Sequence, residues 1–485
     1  MKNILLGILI ALAVSACSVD DFLDVKPIGK IIPSTVSDFD LLLNDYQMSQ
    51  SALYNLKYID PDVYLTDESF TDLWYEPLKQ TYLWADDYYG ISGGDDSYIR
   101  SYKNIMTFNT ILADIDNADL EDAADEDRIR IKGEALGGRA LDLFLLAEEY
   151  GPAYSDENLD LPCVIMPLEV NLGAKSSRST VKEVYNRILE DTKEAMKLLD
   201  QVAPVHDVTN NLRPGRAAIR ALLAEVYLSM GDFQQSAQYA DETLSMYNFV
   251  YNYVSDLQLK TTDNKWDGVV DADGNKIFWR LTDTKSTLWS RYFFRVATRE
   301  GVHSLYHPDL VAIYAEDYDN DPNSNSDQRW NFFASKTGYG GGTDYSPYYI
   351  FASDVNRQIS VGMSVPLILL NAAESKARLG NDDQGALDAL NILLRNRIVG
   401  FTDLTLADVP DVLALVKKER RKEFTASGLN VINLKRYHAY GDAVDTYTRT
   451  VFGETYTLEP GSNKYIVPIY QKALNQNPNI SAKPY

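Results

Sequence analysis

The sequence predicts an all-α scaffold of antiparallel helix hairpins carrying loop-rich insertions, and three observations support that class. Arg216 to Leu244 places small and apolar residues at helical spacing (Ala217, Ala221, Ala224, Leu228, then Phe233, Ala237, Ala240, Leu244) on either side of a Gly231-Asp232 stop. A second pair of the same kind spans 366–398, broken at Gly380-Asn381-Asp382. Between them, over 250–360, helical periodicity fades while Gly, Asp, Asn and aromatic residues rise.

The first hairpin has the small-residue pattern of a tetratricopeptide (TPR) unit. Ala224, Tyr227, Gly231, Phe233, Ser236 and Leu244 fall where such a repeat uses Gly/Ala, Tyr, Gly, Tyr/Phe, Ala and Leu. Small residues let two helices approach closely, and aromatic rings fill the neighbour's groove. One hairpin cannot bury its own apolar face, so others must stack on it. Periodic segments at 98–116, 128–150 and 181–199 supply them, giving TPR-like hairpins near 98–150, 181–244 and 366–398. Shorter helices are expected over 38–48 and 410–425. An irregular aromatic stretch is expected over 67–98, an acidic loop before 128, and loops with short strands from 426 onward.

The amino terminus predicts the compartment. Met1-Lys2-Asn3 is a basic start, and the apolar run from Ile4 to Ala16 is too short for a hydrocarbon layer of ~30 Å at ~1.5 Å per residue. It reads as a secretory signal, and Val14-Ser15-Ala16-Cys17 reads as a bacterial lipobox with Cys17 as the lipid-attachment residue. The expected organisation is signal 1–17, tether 18–36 and one domain over 37–485. With Cys17 lipidated, Cys163 has no disulfide partner, and stability must come from the core.

A formal charge of −24 excludes nucleic acid as a natural ligand, because phosphates would be repelled. Catalytic signatures are weak throughout. The His303/His307 pair lacks the glutamate of a zinc helix, and there is no GxSxG elbow, P-loop or GxGxxG. Asp317 to Asp327 alternates oxygen ligands as calcium loops do, but Pro322 and Gln328 stand where Gly and Glu are needed, so no cofactor is expected and calcium is weakly supported. Glu419 and Glu423 flank Arg420-Arg421, a spacing that favours ion pairing over acid–base work. What remains is an aromatic surface. With 33 Tyr and 6 Trp, the chain puts flat rings in irregular segments at Trp74-Tyr75, Trp84, Tyr88-Tyr89 and Trp266 to Phe294. Such rings stack on the C–H faces of sugars, and binding loops belong on rigid scaffolds.

Val416 to His438 (VKKERRKEFTASGLNVINLKRYH) resembles the hallmark of SusD-like (RagB/SusD) outer-membrane lipoproteins, through Glu419, Arg420, Glu423, Phe424, Gly428, Leu434, Arg436 and Tyr437. The chain end resembles that family's closing pattern through Pro468-Ile469, Asn477-Pro478-Asn479 and Pro484-Tyr485. Lys132 to Gly151, Ser179 to Leu199 and both hairpins are also similar, so the resemblance covers essentially the whole chain after the signal. Asn433, Tyr437 and Gly137-Gly138 depart from the usual pattern.

The resemblance implies a SusD-like fold, no enzymatic activity, and capture of oligosaccharide at the cell surface. It further implies delivery to a SusC-like TonB-dependent transporter, over which the lipoprotein acts as a lid in the outer membrane. Family ligand sites lie in the insertions, so the expected contacts are Asp67, Trp74, Tyr75, Trp84, Trp289 and Tyr292. Binding of peptides or glycopeptides, surface glycoside hydrolysis, and a purely structural adaptor are the rival readings.

Overall fold

The computed structural model describes residues 33–50, 53–90, 93–171, 173, 175–261, 265–277, 284–294, 304–316, 326–338, 343–351 and 358–484. Cys17, His303 and most of the calcium-like segment lie outside the described residues.

Seven long helices form the scaffold: α1 (Asp96–Asp114), α2 (Asp125–Tyr150), α3 (Val181–Val202), α4 (Arg216–Ser229), α5 (Phe233–Met246), α6 (Val365–Leu379) and α7 (Asp383–Arg395). Each packs on the next in chain order, so the expected hairpins are present and stacked. α5 packs directly on α6 although 118 positions separate Met246 from Val365 in numbering (364 − 246), so the intervening excursion leaves the array and returns to it. The TPR-pattern residues act at these joints. Ser236 Oγ donates to the Ala224 carbonyl (2.8 Å) and accepts from Ser375 Oγ (2.8 Å), which joins α4, α5 and α6. Gly231 turns the hairpin at φ +76°, a conformation that favours glycine.

Gly137-Gly138 has a packing cause. A Cβ on Gly138 would lie 2.4 Å from Phe108 of α1, and one on Gly137 would lie 2.7 Å from Ile219 of α4. α2 is therefore clamped between neighbours that leave no room for a side chain.

α8 (Val412–Glu423) carries the hallmark ions, and they are structural. Glu374 of α6 is fully buried; it accepts from Arg436 (2.7 Å at both oxygens) and Arg378 (2.9 Å) and forms an ion pair with Arg420 (3.0 Å). It is buried, but these guanidiniums hold its carboxyl down at about 2. Beside it, Arg329 bonds Asp327, Glu419 and Glu423, and Arg397 bonds Glu423. Every charge named in this cluster lies against at least one of opposite sign, as burial requires.

Four expectations about elements are corrected. The acidic loop before 128 is shorter than expected: it ends at Ala124, and Asp125, Glu126 and Asp127 form the first turn of α2, where they complement the positive end of the helix. The 38–48 helix is split into Val36–Leu42 and the 3₁₀ turn Tyr46–Ser49, where Asp45 caps the Gln47 amide. The 67–98 stretch contains two short helices, Asp67–Asp72 and Glu76–Tyr82. The segment from 426 holds a helix, α9 (Leu429–Ala439), besides a hairpin of Tyr447–Val451 and Glu454–Leu458. α9 is buried on nearly all sides, Asn430, Asn433, Lys435 and Arg436 included, so its polar residues do not gather on one exposed face from which helical periodicity could be read. Among the described residues no helix is long and apolar enough to cross a membrane.

Candidate ligand-binding face

An aromatic satellite core sits beside the scaffold. It gathers Tyr58, Val63, Leu65, Phe70, Leu73, Leu78, Tyr82, Tyr306, Tyr314, Trp330 and Phe351. Above it lies a four-stranded antiparallel sheet whose strands, in spatial order, are Val63–Tyr64, Leu305–Tyr306, Ile350–Phe351 and Ala334–Ser335. The sheet ties the 53–90 region to the excursion between α5 and α6.

The two short helices form a tight corner on this core. Thr66 caps the first, accepting from the Ser69 amide (3.1 Å), and Pro77 opens the second. Leu73 and Leu78 point inward, while Lys79 Nζ donates to the Thr71 carbonyl (3.1 Å) and closes the corner. Trp74 projects from it, 58% exposed, with Tyr75 half-buried against its edge (centroids 6.3 Å apart, planes at 66°). Asp67 is exposed, and its Oδ1 accepts from the Phe452 amide (2.8 Å), which pins the tip of the C-terminal hairpin to the first helix. Asp67, Trp74 and Tyr75 thus share one short helix pair.

Trp84, Trp289 and Tyr292 do not join them. Trp84 is 1% exposed, its Nε1 donates to the Ile59 carbonyl (2.9 Å), and its ring lies 4.2 Å from the Arg449 guanidinium. Trp289 is also 1% exposed and donates to the Leu212 carbonyl (3.1 Å) within the main core. Tyr292 is buried and accepts from Gln50 Nε2 (3.2 Å); burial pushes its phenol above the ordinary range. A ring packed on both faces offers nothing to a ligand, so the expectation that these three stack on sugar is corrected. Tyr88, Tyr89 and Trp266 are likewise buried.

The sequence reading missed several half-buried groups along the sheet. Tyr64 contacts Tyr348 (5.3 Å) and His307 (6.0 Å), and Tyr349 packs on Trp330 (4.5 Å). Burial and the neighbouring Tyr348 push the Tyr64 phenol up to about 12, so it remains a neutral donor. Burial lowers the His307 imidazole, and its Nδ1 accepts from the Asp309 amide (3.3 Å). The Tyr348-Tyr349 pair was a signal in the sequence. What was not visible is the pairing of Val63-Tyr64 with Leu305-Tyr306, which brings the two regions together.

Chemically the face combines ring surfaces, neutral hydroxyls and exposed carboxylates (Asp67, with Glu68, Asp72 and Glu76 on the same helix pair), a set suited to recognising a hydroxylated ligand. Among the described residues no group of three or more His, Cys, Asp or Glu converges as metal ligands.

Comparison with known proteins agrees with this architecture. A family profile described as "Starch-binding associating with outer membrane" matches residues 21–228, and one described as "SusD family" matches 368–485. No curated protein sequence matches. Among solved structures, a SusD superfamily protein from Bacteroides thetaiotaomicron is 19% identical, with a TM-score of 0.69 over 93% of this chain and 100% of its own. A protein from Bacteroides vulgatus described as a putative sugar binding protein is 20% identical, with a TM-score of 0.66 over 94% and 99%. Another from that organism, described as a SusD-like carbohydrate binding protein, is 19% identical, with a TM-score of 0.64 over 92% and 97%. The two profiles together cover most of the sequence, the solved structures share its fold over 92–94% of its length, and the chain belongs to the SusD-like (RagB/SusD) family.

Proposed function

We propose that this chain is a non-catalytic surface lipoprotein that captures oligosaccharide on the Trp74 face and delivers it to a SusC-like TonB-dependent transporter in the outer membrane. The observation that carries the reading is the Trp74–Tyr75 corner. A large apolar ring held 58% exposed by a rigid two-helix turn, beside Asp67, is surface that the fold does not use for its own packing. Sugars present apolar C–H faces to such rings, and their hydroxyls bond to carboxylates and phenols. Support for a carbohydrate ligand comes from the family description as starch-binding and from the described sugar-binding function of two structural relatives. The same description as associating with the outer membrane supports anchoring through Cys17, with delivery to a barrel partner as the family role.

Two experiments test this. The full chain, purified in mild detergent and applied to an oligosaccharide array of α- and β-glucans, xylans, mannans and host glycans, binds at least one class and releases no product from it. Affinity purification from the native membrane recovers a β-barrel transporter. An array without any binding, together with tight capture of peptides, would move the ligand to the peptide class.

A further inference from the structure

The C-terminal hairpin pairs Val451 with Glu454, which leaves a two-residue turn of Phe452 and Gly453. Both have positive φ, +49° and +82°. A type I′ turn demands this combination, and Asn-Gly or Asp-Gly usually supplies it because a larger side chain crowds the following carbonyl. Among the described residues four other non-glycine residues have positive φ. Leu53, Trp84 and Ala426 are buried, so packing offsets the strain, and Glu121 is a charged group on an exposed loop. Phe452 alone of these five is a large apolar side chain left in solvent, at 63% exposure.

The fold does not need the ring. The bond that docks the hairpin tip runs from the Phe452 backbone amide to Asp67, and asparagine or glycine would make it equally well with less strain. Among the described aromatic rings, its ring meets Phe70 edge-on, at 6.2 Å and 80°. A strained, exposed aromatic that the fold could replace cheaply points to a use outside the fold.

We infer that Phe452 is a second stacking wall of the glycan site, a reading that rests on the proposed function. Phe452 is anchored at the first residue of the Asp67–Asp72 helix, and Trp74 follows its last turn. Asp67 and Trp74 are seven positions apart, five helical rises of ~1.5 Å and two further residues beyond the helix, so these backbone anchors stand on the order of 10 Å apart, more than one hexose ring. Two rings so placed engage different units of one chain. The preferred ligand is therefore an oligosaccharide of at least two linked sugars, with the free monosaccharide a poor competitor.

The test uses the full chain and its strongest oligosaccharide from the array described above. Phe452→Asn and Phe452→Gly melt at a higher temperature than the wild type yet bind about tenfold more weakly, while Phe452→Trp retains affinity. Unchanged affinity in Phe452→Asn, with Trp74→Ala impaired, overturns this inference and leaves the proposed function standing. Unchanged affinity in both variants overturns both. A lower melting temperature for Phe452→Gly overturns the strain argument. Competition by the monosaccharide as strong as by the oligosaccharide overturns the two-unit site.

Discussion

Trp74 and Trp84 lie in one aromatic stretch of sequence and have opposite fates. Trp74 follows a helix whose last residues turn Leu73 inward, so the next side chain faces solvent. Trp84 takes φ +52° and turns into the core, where Arg449 stacks on it and donates to the carbonyls of Tyr58 and Tyr82. The partner that decides its fate lies far along the chain, so composition and local pattern could mark both rings as candidates but could not separate them. The same holds for Trp289, whose pocket is built by Leu212 and by Arg291 over its ring. Asp67, Trp74 and Tyr75 stand as candidates in a stretch expected to be irregular; the short-range signals that fix their corner, a cap at Thr66 and Pro77 at the next helix start, are in the sequence but did not enter that expectation. The two tryptophans therefore separate experimentally. Trp84→Ala lowers unfolding free energy by about 3–5 kcal/mol, while Trp74→Ala changes it by less than about 0.5 kcal/mol, as denaturant melts would show.

At the scale of elements, the hairpins were legible because their small residues recur with helical period, and α9 was not because its polar residues Asn430, Asn433, Lys435 and Arg436 are buried with the apolar ones, so no polar face separates from an apolar one. The Gly137-Gly138 departure from family pattern follows from α2 being wedged between α1 and α4. Gly138→Leu should destabilise the fold by about 1–3 kcal/mol or more, seen as a lowered melting temperature, because Phe108 would have to move. Joints between elements also set the pH response. Glu374 is held at about 2, below its ordinary 4.5, so its contribution is present above pH 4.5 and lost as pH falls toward 2. Asp60 runs the other way. Burial, then the neighbouring Asp62, raise it from 3.8 to about 7, so its contribution is full below 3.8 and lost as pH rises toward 7. One Asp60 oxygen accepts from Asn430 and the Asp62 amide while the other has no partner, so Asp60→Asn keeps the bonds and removes the charge. Urea melts between pH 4 and pH 8 should show a flatter profile for Asp60→Asn; an unchanged slope would mean that Asp60 does not titrate in this range.

For the whole molecule, the division of labour is between a stacked helical frame and what hangs from it. The frame has matched buried charges and close helix contacts, and it presents residues 53–90, the excursion between α5 and α6 and the C-terminal hairpin together at one aromatic core. The sequence made the frame readable because each repeat unit is local. The candidate face was only half readable, because strand pairing between 63–64 and 305–306 and the Asp67–Phe452 contact join segments hundreds of positions apart. The central claim is that this face, rather than the TPR-like surface, holds a glycan. Its most direct test is a calorimetric titration of wild type and Trp74→Ala with the best oligosaccharide from the array. The account predicts about a tenfold loss of affinity, ~1.4 kcal/mol, at an unchanged melting temperature. Equal affinity for the two proteins would contradict it.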